Sequence, residues 1–165
     1  MKKKIITIAI VALIVIAAII IVSLIKTNNY KRSNIVEISY SYGGGFGTIV
    51  DISQKTITFY PNGEVKLSNN YNSYTETFNI DQNKYNELVD SILENFSLFD
   101  EKPKEEDALD GSSSSIKIKL KNGQSKEFGG YMINNKKYIK IKNKIYETID
   151  YKRLNQYENN IKTNE

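Results

Sequence analysis

The residue types that most often carry catalysis are sparse in this chain, which contains no histidine and no cysteine. Ser-His-Asp and Cys-His arrangements are therefore impossible, and no imidazole or thiolate is present to ligate zinc or copper. Ser114 and Lys117 match the Ser-x-x-Lys nucleophile motif of penicillin-recognising enzymes, but that spacing brings two side chains together only on a helix. Here the motif falls on an alternating strand, where an offset of three places the two side chains on opposite faces. It therefore predicts no nucleophile.

Two further clusters have the composition of binding loops. In the glycine run at 43–47, the position three residues after Gly45 is Thr48, where a dinucleotide fingerprint requires its third glycine. The run also lacks the Lys-Ser/Thr pair of a P-loop, so we interpret it as a hairpin connection. The densest acidic cluster consists of Glu105, Glu106, Asp107 and Asp110. Its spacing is not that of a calcium loop, which favours a solvated surface loop. Weak calcium binding by its carboxylate oxygens stays open as an alternative.

Alternating residues predict a β-meander in the first part of the chain. Residues 36–42 alternate between apolar and polar types, a period of two that is typical of a strand with one wet face. Asn-Gly at 62–63 predicts a hairpin turn. Further strands are predicted at 48–52, 56–60, 65–67 and 74–78. Tyrosines crowd this sheet, either as packing residues or as a recognition surface: Tyr40, Tyr42, Tyr60, Tyr71 and Tyr74.

The period then changes to 3.6, which predicts a helix with Asp81 as its N-cap and Leu88, Val89 and Ile92 on its buried face. A second hairpin follows, with strands at 115–121 and 124–128 around Asn-Gly, and Gly129-Gly130 is expected to end it. A second helix is predicted over 135–151. Its five lysines form either a solvated face or a contact with anionic lipids or envelope polymers, and they are Lys136, Lys137, Lys140, Lys142 and Lys144.

These elements predict an α+β fold: an N-terminal transmembrane helix, then an antiparallel sheet (meander plus hairpin) covered by two amphipathic helices. The expected organisation is a short tail and anchor at 1–25, a linker at 26–34, an α+β domain at 35–152 and a polar, fraying tail at 153–165. A domain of this length can bury one apolar core, and without cysteine it must depend on that core for stability.

The anchor is predicted from residues 5–25, which include no charged residue. A helix of 21 residues would be roughly 31 Å long, which matches a hydrocarbon core of about 30 Å. The run is longer than the apolar region of a cleaved signal peptide and ends without a small-residue cleavage pattern, which favours an uncleaved anchor. The compact basic head, Lys2 to Lys4, favours a cytoplasmic N-terminus and an extracytoplasmic domain. We therefore expect a single-pass protein of the cell membrane.

The chain has a net charge of +4, but Lys2 to Lys4 supply three of those charges, so residues 26–165 carry +1. A nearly neutral domain lacks the electrostatic footprint of a nucleic-acid-binding protein. Nucleic acid is therefore not an expected partner, and no cofactor or metal is predicted.

The segment from about residue 100 to 150 resembles a known sequence pattern. Residues 109–118, with their Asp-Gly-Ser stretch, then Asn122-Gly123 and Gly129-Gly130-Tyr131, are similar to a segment of membrane-anchored and lipoprotein-type bacterial proteins. In that family an Asp-Gly-Ser stretch opens a hairpin, and a Gly-Tyr-Asn-Pro-like turn leads into the last helix. Here Met132-Ile133-Asn134 replaces the Asn-Pro portion. The resemblance covers about residues 100–150, and because the family has no established activity it implies the architecture and no catalytic residue.

The open end of the second hairpin is the candidate binding surface. Its two strands are antiparallel around Asn122-Gly123, so the residues that flank them must converge. The candidate residues are Asp110, Gly111, Ser112, Gly129, Gly130 and Tyr131. The same residue types also explain a well-made fold junction, because short acidic side chains and glycines are typical of turns.

The sequence as a whole favours a membrane-tethered, extracytoplasmic, non-catalytic interaction domain. Its expected partners are the lipid bilayer, through residues 5–25, and an envelope protein or polymer. The alternative is a small envelope hydrolase or carbohydrate-active enzyme that uses Asp and Glu. Two carboxylates about 5–9 Å apart in one cleft would favour that alternative.

Overall fold

The computed structural model of the chain describes residues 13–16, 31–45, 53–104 and 111–163. These residues form an α+β domain around a six-stranded antiparallel sheet, which confirms the predicted fold class. The spatial order of the strands is β4-β3-β2-β1-β5-β6, so the meander and the second hairpin join along β1. The strands are β1 (Ile35–Gly44), β2 (Lys55–Phe59), β3 (Glu64–Asn69), β4 (Thr75–Asn79), β5 (Ser112–Leu120) and β6 (Ser125–Tyr131). The strand predicted at 48–52 lies outside the described residues.

Strand β1 is the centre of the sheet and pairs with β2 on one side and β5 on the other. Ile38 and Tyr40 are buried as the alternation predicts. The predicted alternation is wrong at the start of the strand, where Ile35 is buried and Val36 is only half-buried. The register with β5 shifts between Ile35 and Glu37. A β-bulge adds one residue there and turns Ile35 toward the core.

Both predicted hairpin turns are present. Gly63 and Gly123 have φ angles of +82° and +83°, values that glycine adopts without steric cost. The expectation that Gly129-Gly130 ends the strand is wrong, because β6 continues through both glycines to Tyr131. Gly129 pairs with Ser115 and Gly130 with Ser114, so the ladder remains intact. The chain bends only at Met132, whose φ is +47°.

The first predicted helix, α1 (Gln82–Glu94), is confirmed. The Asp81 carboxylate accepts a hydrogen bond from the Asn83 backbone N–H at 2.7 Å, which satisfies one of the free donors of the first turn. Helix α2 (Lys136–Ile149) begins after Asn135, whose side chain accepts from the Lys137 N–H at 2.9 Å. Two short 3₁₀ helices, Arg32–Asn34 and Phe96–Asp100, complete the connections before β1 and after α1.

The polar tail expected to fray over 153–165 instead contains a third helix, α3 (Tyr151–Thr163). Leu154, Tyr157 and Ile161 lie on its inner face and are buried in the common core. Their spacing of three and four residues places them on one side of a helix. The sheet is therefore covered by three helices and not by two.

All three helices contribute to one hydrophobic core on the inward face of the sheet. Tyr40 of β1 contacts Tyr146 of α2, and Tyr74 before β4 stacks on Tyr157 of α3. The outward face carries polar residues such as Ser39, Ser41 and Thr58, which accounts for the alternation along the strands beyond the bulge at the start of β1.

The predicted linker and anchor are described only in part. The linker, 26–34, ends in the first 3₁₀ helix, where the Arg32 guanidinium forms an ion pair with Asp90 of α1. Within the described ranges, no helix is both long enough and apolar enough to cross a bilayer. The anchor expected at 5–25 lies outside those ranges except for residues 13–16, which are helical and exposed.

Candidate functional site

The described part of the predicted junction does come together. The Gly111 N–H donates a hydrogen bond to the Tyr131 hydroxyl, and the Met132 N–H donates to the Ser112 carbonyl at 3.1 Å. Ser113 pairs with Tyr131 across the ladder. Asp110 lies outside the described residues. The expected convergence is therefore observed, while a binding role for these residues stays a prediction.

The contacts of Tyr131 and Gly129 fit a fold junction. Tyr131 is half-buried and uses its hydroxyl to hold the start of β5. A Cβ atom on Gly129 would lie 2.2 Å from the Ser115 Cβ, a distance that side chains cannot adopt. Gly129 and Gly130 also line a shallow cavity of about 400 Å³ with Ser41, Gln54, Pro103, Ser113, Ser114, Ser115, Glu127 and Phe128. Gly129 thus permits close strand pairing, which is a structural role.

A different cavity lies at the end of β1, between the sheet and the C-terminal halves of α2 and α3. We call it the tyrosine cavity; its volume is about 300 Å³. Five elements supply its lining, which converges on a polar interior: Tyr40, Tyr42, Gly43, Gly44, Lys55, Ser112, Ser114, Lys142, Tyr146, Glu158 and Lys162. Of the predicted candidate residues, it contains Ser112.

Hydroxyl groups form a network in the tyrosine cavity. The Tyr40 and Tyr146 hydroxyl oxygens are 3.2 Å apart, and their rings meet edge to face. The Tyr42 hydroxyl donates to Glu158 Oε1 at 3.0 Å. The Tyr138 hydroxyl, from the adjacent turn of α2, donates to Ser114 Oγ at 2.6 Å. Such a network fixes the positions of the donors before any ligand arrives.

Burial keeps these phenols protonated. Burial, followed by the neighbouring Tyr146 side chain, holds the pKa of Tyr40 well above its usual value. Burial and then the Glu158 carboxylate raise the pKa of Tyr42 in the same way. Burial raises the pKa of Tyr138 to about 12 and also raises the pKa of Tyr146. All four hydroxyls are therefore neutral hydrogen-bond donors near neutral pH.

Lysines supply the positive charge of the cavity. Lys55 of β2 is only 6% exposed, and its Nζ lies 5.9 Å from the centroid of the Tyr42 ring. A cation at that distance is attracted by the face of the ring, which helps to hold a buried lysine. Lys142 comes from α2 and Lys162 from α3.

The basic face predicted on α2 separates into two groups. Lys137, Lys140 and Lys144 form ion pairs with Glu101, Glu94 and Glu87, at 2.6, 2.9 and 2.6 Å. Those lysines therefore have local counter-charges from the preceding helical segment. Lys142 differs, because it lines the tyrosine cavity and has no ion-pair partner among the residues that the structure describes.

The carboxylates that an envelope hydrolase would need are grouped elsewhere. Those in the groove between α1 and α2 are Glu87, Asp90, Glu94 and Glu147. Each of them forms an ion pair, with Arg32, Lys140 or Lys144. The groove is thus a helix contact in which every one of these carboxylates has a cationic partner. Glu158 is the one carboxylate among the described residues that line the tyrosine cavity.

The structure also shows the positions of Ser114 and Lys117, the residues of the Ser-x-x-Lys match. Ser114 points inward and accepts from Tyr138, whereas Lys117 is exposed on the outward face near Glu127. The predicted separation of the two side chains is confirmed. The acidic cluster at 105–110 lies outside the described residues, and within the described ranges no group of carboxylates has the arrangement of a metal site.

Sequence reasoning missed most of the tyrosine cavity. The alternation places Tyr40 and Tyr42 on one strand face, but it does not identify Tyr146, Glu158 and Lys162 as their partners. The available signal was the spacing of Glu158 and Lys162, four residues apart, which puts both on one side of a helix.

Comparison with other proteins adds no assignment, because no protein-family model and no curated protein matches this chain.

Proposed function

We propose that this chain is a membrane-tethered, non-catalytic binding protein whose ligand site is the tyrosine cavity. The observation that carries the proposal is the convergence of hydroxyl and ammonium donors from five elements on one concave site. Polar groups that converge in a concavity are the usual arrangement of a small-ligand site. The partner is an envelope protein or polymer that presents a group to this cavity.

The chemistry of the cavity supports binding rather than catalysis. Its phenols are neutral donors, because burial raises the pKa of Tyr40 and Tyr42. A glycoside hydrolase mechanism uses two carboxyl groups, and the described lining contains Glu158 alone. The hydrolase alternative stays a prediction, without a carboxylate pair to support it in this cavity.

The tether rests on the sequence of residues 5–25, whose apolar length matches a bilayer. We expect residues 26–165 to lie outside the cytoplasm. A reporter that is active only after export, fused after Glu165, is expected to be active because the basic head at Lys2 to Lys4 stays inside. Activity of a cytoplasmic reporter at the same position, with an inactive export reporter, would reverse the orientation.

Capture from the native membrane tests the binding function. The tagged full-length chain is expected to retain a partner that Lys142→Glu loses, because this change reverses a charge on the cavity wall. Lys136→Glu is the matched control, since Lys136 is an exposed lysine of the same helix and outside the cavity. If the unchanged chain, Lys142→Glu and Lys136→Glu all retain the same partner, the tyrosine cavity is not the binding site.

A further inference from the structure

Among the described residues that line the tyrosine cavity, lysines outnumber the single glutamate by three to one, and Lys142 has no ion-pair partner within the described ranges. Lys55, Lys142 and Lys162 come from β2, α2 and α3, so the charge arises only when the fold brings these elements together. A cleft of one sign, with walls of low dielectric constant, concentrates ligands of the opposite sign. The ligand of this cavity should therefore carry negative charge.

The type of cation bears on the type of anion. The described lining of the cavity contains lysines and no arginine. A guanidinium group binds a carboxylate or a phosphate through two parallel hydrogen bonds in one plane, whereas an ammonium group is a point charge with rotatable donors. Ammonium groups that arrive from three elements suit a phosphate, whose oxygens point in several directions.

The tyrosine hydroxyls can add to this binding. Tyr40 and Tyr146 share one hydrogen bond between two hydroxyl groups, at 3.2 Å. Each hydroxyl has one hydrogen, so the pair can donate a second hydrogen to another acceptor. Gly43 and Gly44 at the rim have no side chains to block the approach of a ligand.

Glu158 sets a further requirement. The Tyr42 hydroxyl bonds to Oε1 of Glu158, and no hydrogen bond to Oε2 is formed within the described ranges. A carboxylate would repel a simple anion, but it accepts hydrogen bonds from hydroxyl groups. A ligand with both a phosphate and a hydroxyl group would satisfy the lysines and Glu158 together.

We infer that the tyrosine cavity binds a phosphate ester of a polyol, with the phosphate toward Lys142 and Lys162 and a hydroxyl toward Glu158. This inference rests on the proposed function and adds the ligand class to it. The volume of about 300 Å³ lies at the lower end of ligand sites, so the cavity takes one small unit. Such a unit occurs both in polyol phosphate polymers and in phospholipid headgroups.

Calorimetric titration of the full-length chain in phosphatidylcholine nanodiscs tests the ligand class. sn-Glycerol 3-phosphate is expected to bind, while glycerate and glycerol bind at least about tenfold more weakly, because each lacks the phosphate. Lys142→Gln is expected to weaken binding of sn-glycerol 3-phosphate about tenfold through loss of one charged donor. Lys136→Gln, the matched control, should leave the affinity unchanged.

The outcomes separate this inference from the proposed function. Equal affinity for glycerate and sn-glycerol 3-phosphate, or equal affinity of Lys142→Gln and the unchanged chain, would overturn the ligand class. Lack of binding to every probe, together with capture that still depends on Lys142, would overturn the ligand class alone. Lys162→Gln replaces Lys142→Gln if the near-UV circular dichroism of the latter shows misfolding, since Lys162 is exposed.

Two competition experiments distinguish the sources of the ligand. A soluble glycerol phosphate oligomer that displaces sn-glycerol 3-phosphate identifies a polymer. If the chain binds sn-glycerol 3-phosphate more weakly in nanodiscs that contain phosphatidylglycerol than in phosphatidylcholine nanodiscs, the source of the ligand is a lipid headgroup. Either result supports the inferred ligand class.

Discussion

A chain that ends at Asp150 is expected to lose cooperative folding. This change removes α3 and with it Leu154, Tyr157 and Ile161, which are 6%, 1% and 0% exposed. Burial of three such side chains contributes roughly 5–9 kcal/mol, at about 1.5–3 kcal/mol each. That sum is of the same size as the whole stability of a typical domain, about 5–15 kcal/mol. Urea unfolding followed by circular dichroism measures the loss.

The contacts beneath α3 explain why the rest of the domain cannot compensate. Tyr157 stacks on Tyr74 with ring centroids 5.8 Å apart, and the Arg153 guanidinium lies 3.8 Å from the centroid of the Phe78 ring. Without α3, the inward face of β4 is uncovered. Gln156→Ala is the control, because Gln156 is exposed on the same helix and should change stability by less than about 0.5 kcal/mol. A truncated chain with an unchanged unfolding midpoint would show that α3 is dispensable.

Local patterns were sufficient to predict the hairpins and α1. Asn-Gly turns need a positive φ that Gly63 and Gly123 provide, and the requirement is met within two residues. Asp81 caps α1 by a contact with Asn83, which is equally local. Features that depend on neighbouring residues in the chain can be derived from the sequence because their energetics are local.

Helix α3 was not predicted because its stability is not local. Asn155, Asn159 and Asn160 give the segment a polar composition that is typical of a frayed end. Its three apolar residues have helical spacing, but a helix of 13 residues is marginal in isolation. It is stabilised by packing against β4 and α2, and no local pattern in the sequence indicates that these elements lie beside it.

The misassigned end of β6 has a similar cause. Gly129 weakens a strand in general, since glycine loses much conformational entropy when it is fixed. Here Gly129 faces Ser115 so closely that a Cβ atom would collide with it, and only glycine permits the pairing. Local patterns could not predict the tyrosine cavity either, because it depends on contacts between residues that are far apart in the chain, such as Tyr42 and Glu158.

Leu88→Ala is expected to lower the free energy of unfolding by about 2–5 kcal/mol, the usual range for truncation of a core leucine. Leu88 is 0% exposed and lies in the core with Val89 and Ile92, as the phase of the helical pattern predicts. The loss includes the transfer free energy of the removed methyl groups and a cavity that the close-packed core fills only in part. Equilibrium urea unfolding of the full-length chain provides the measurement.

Lys84→Ala is the control that separates the loss of packing at Leu88 from the effect of alanine on helix propensity. Lys84 is exposed on α1, one turn before Leu88, and alanine is the better helix former. It should therefore change stability by less than about 0.5 kcal/mol, the range of ordinary surface substitutions. If Leu88→Ala had an effect as small as that of Lys84→Ala, Leu88 would lie outside the core, and the placement of α1 against the sheet would have to be revised. A large effect at Leu88 and a small one at Lys84 would assign the stabilisation to the buried face of α1.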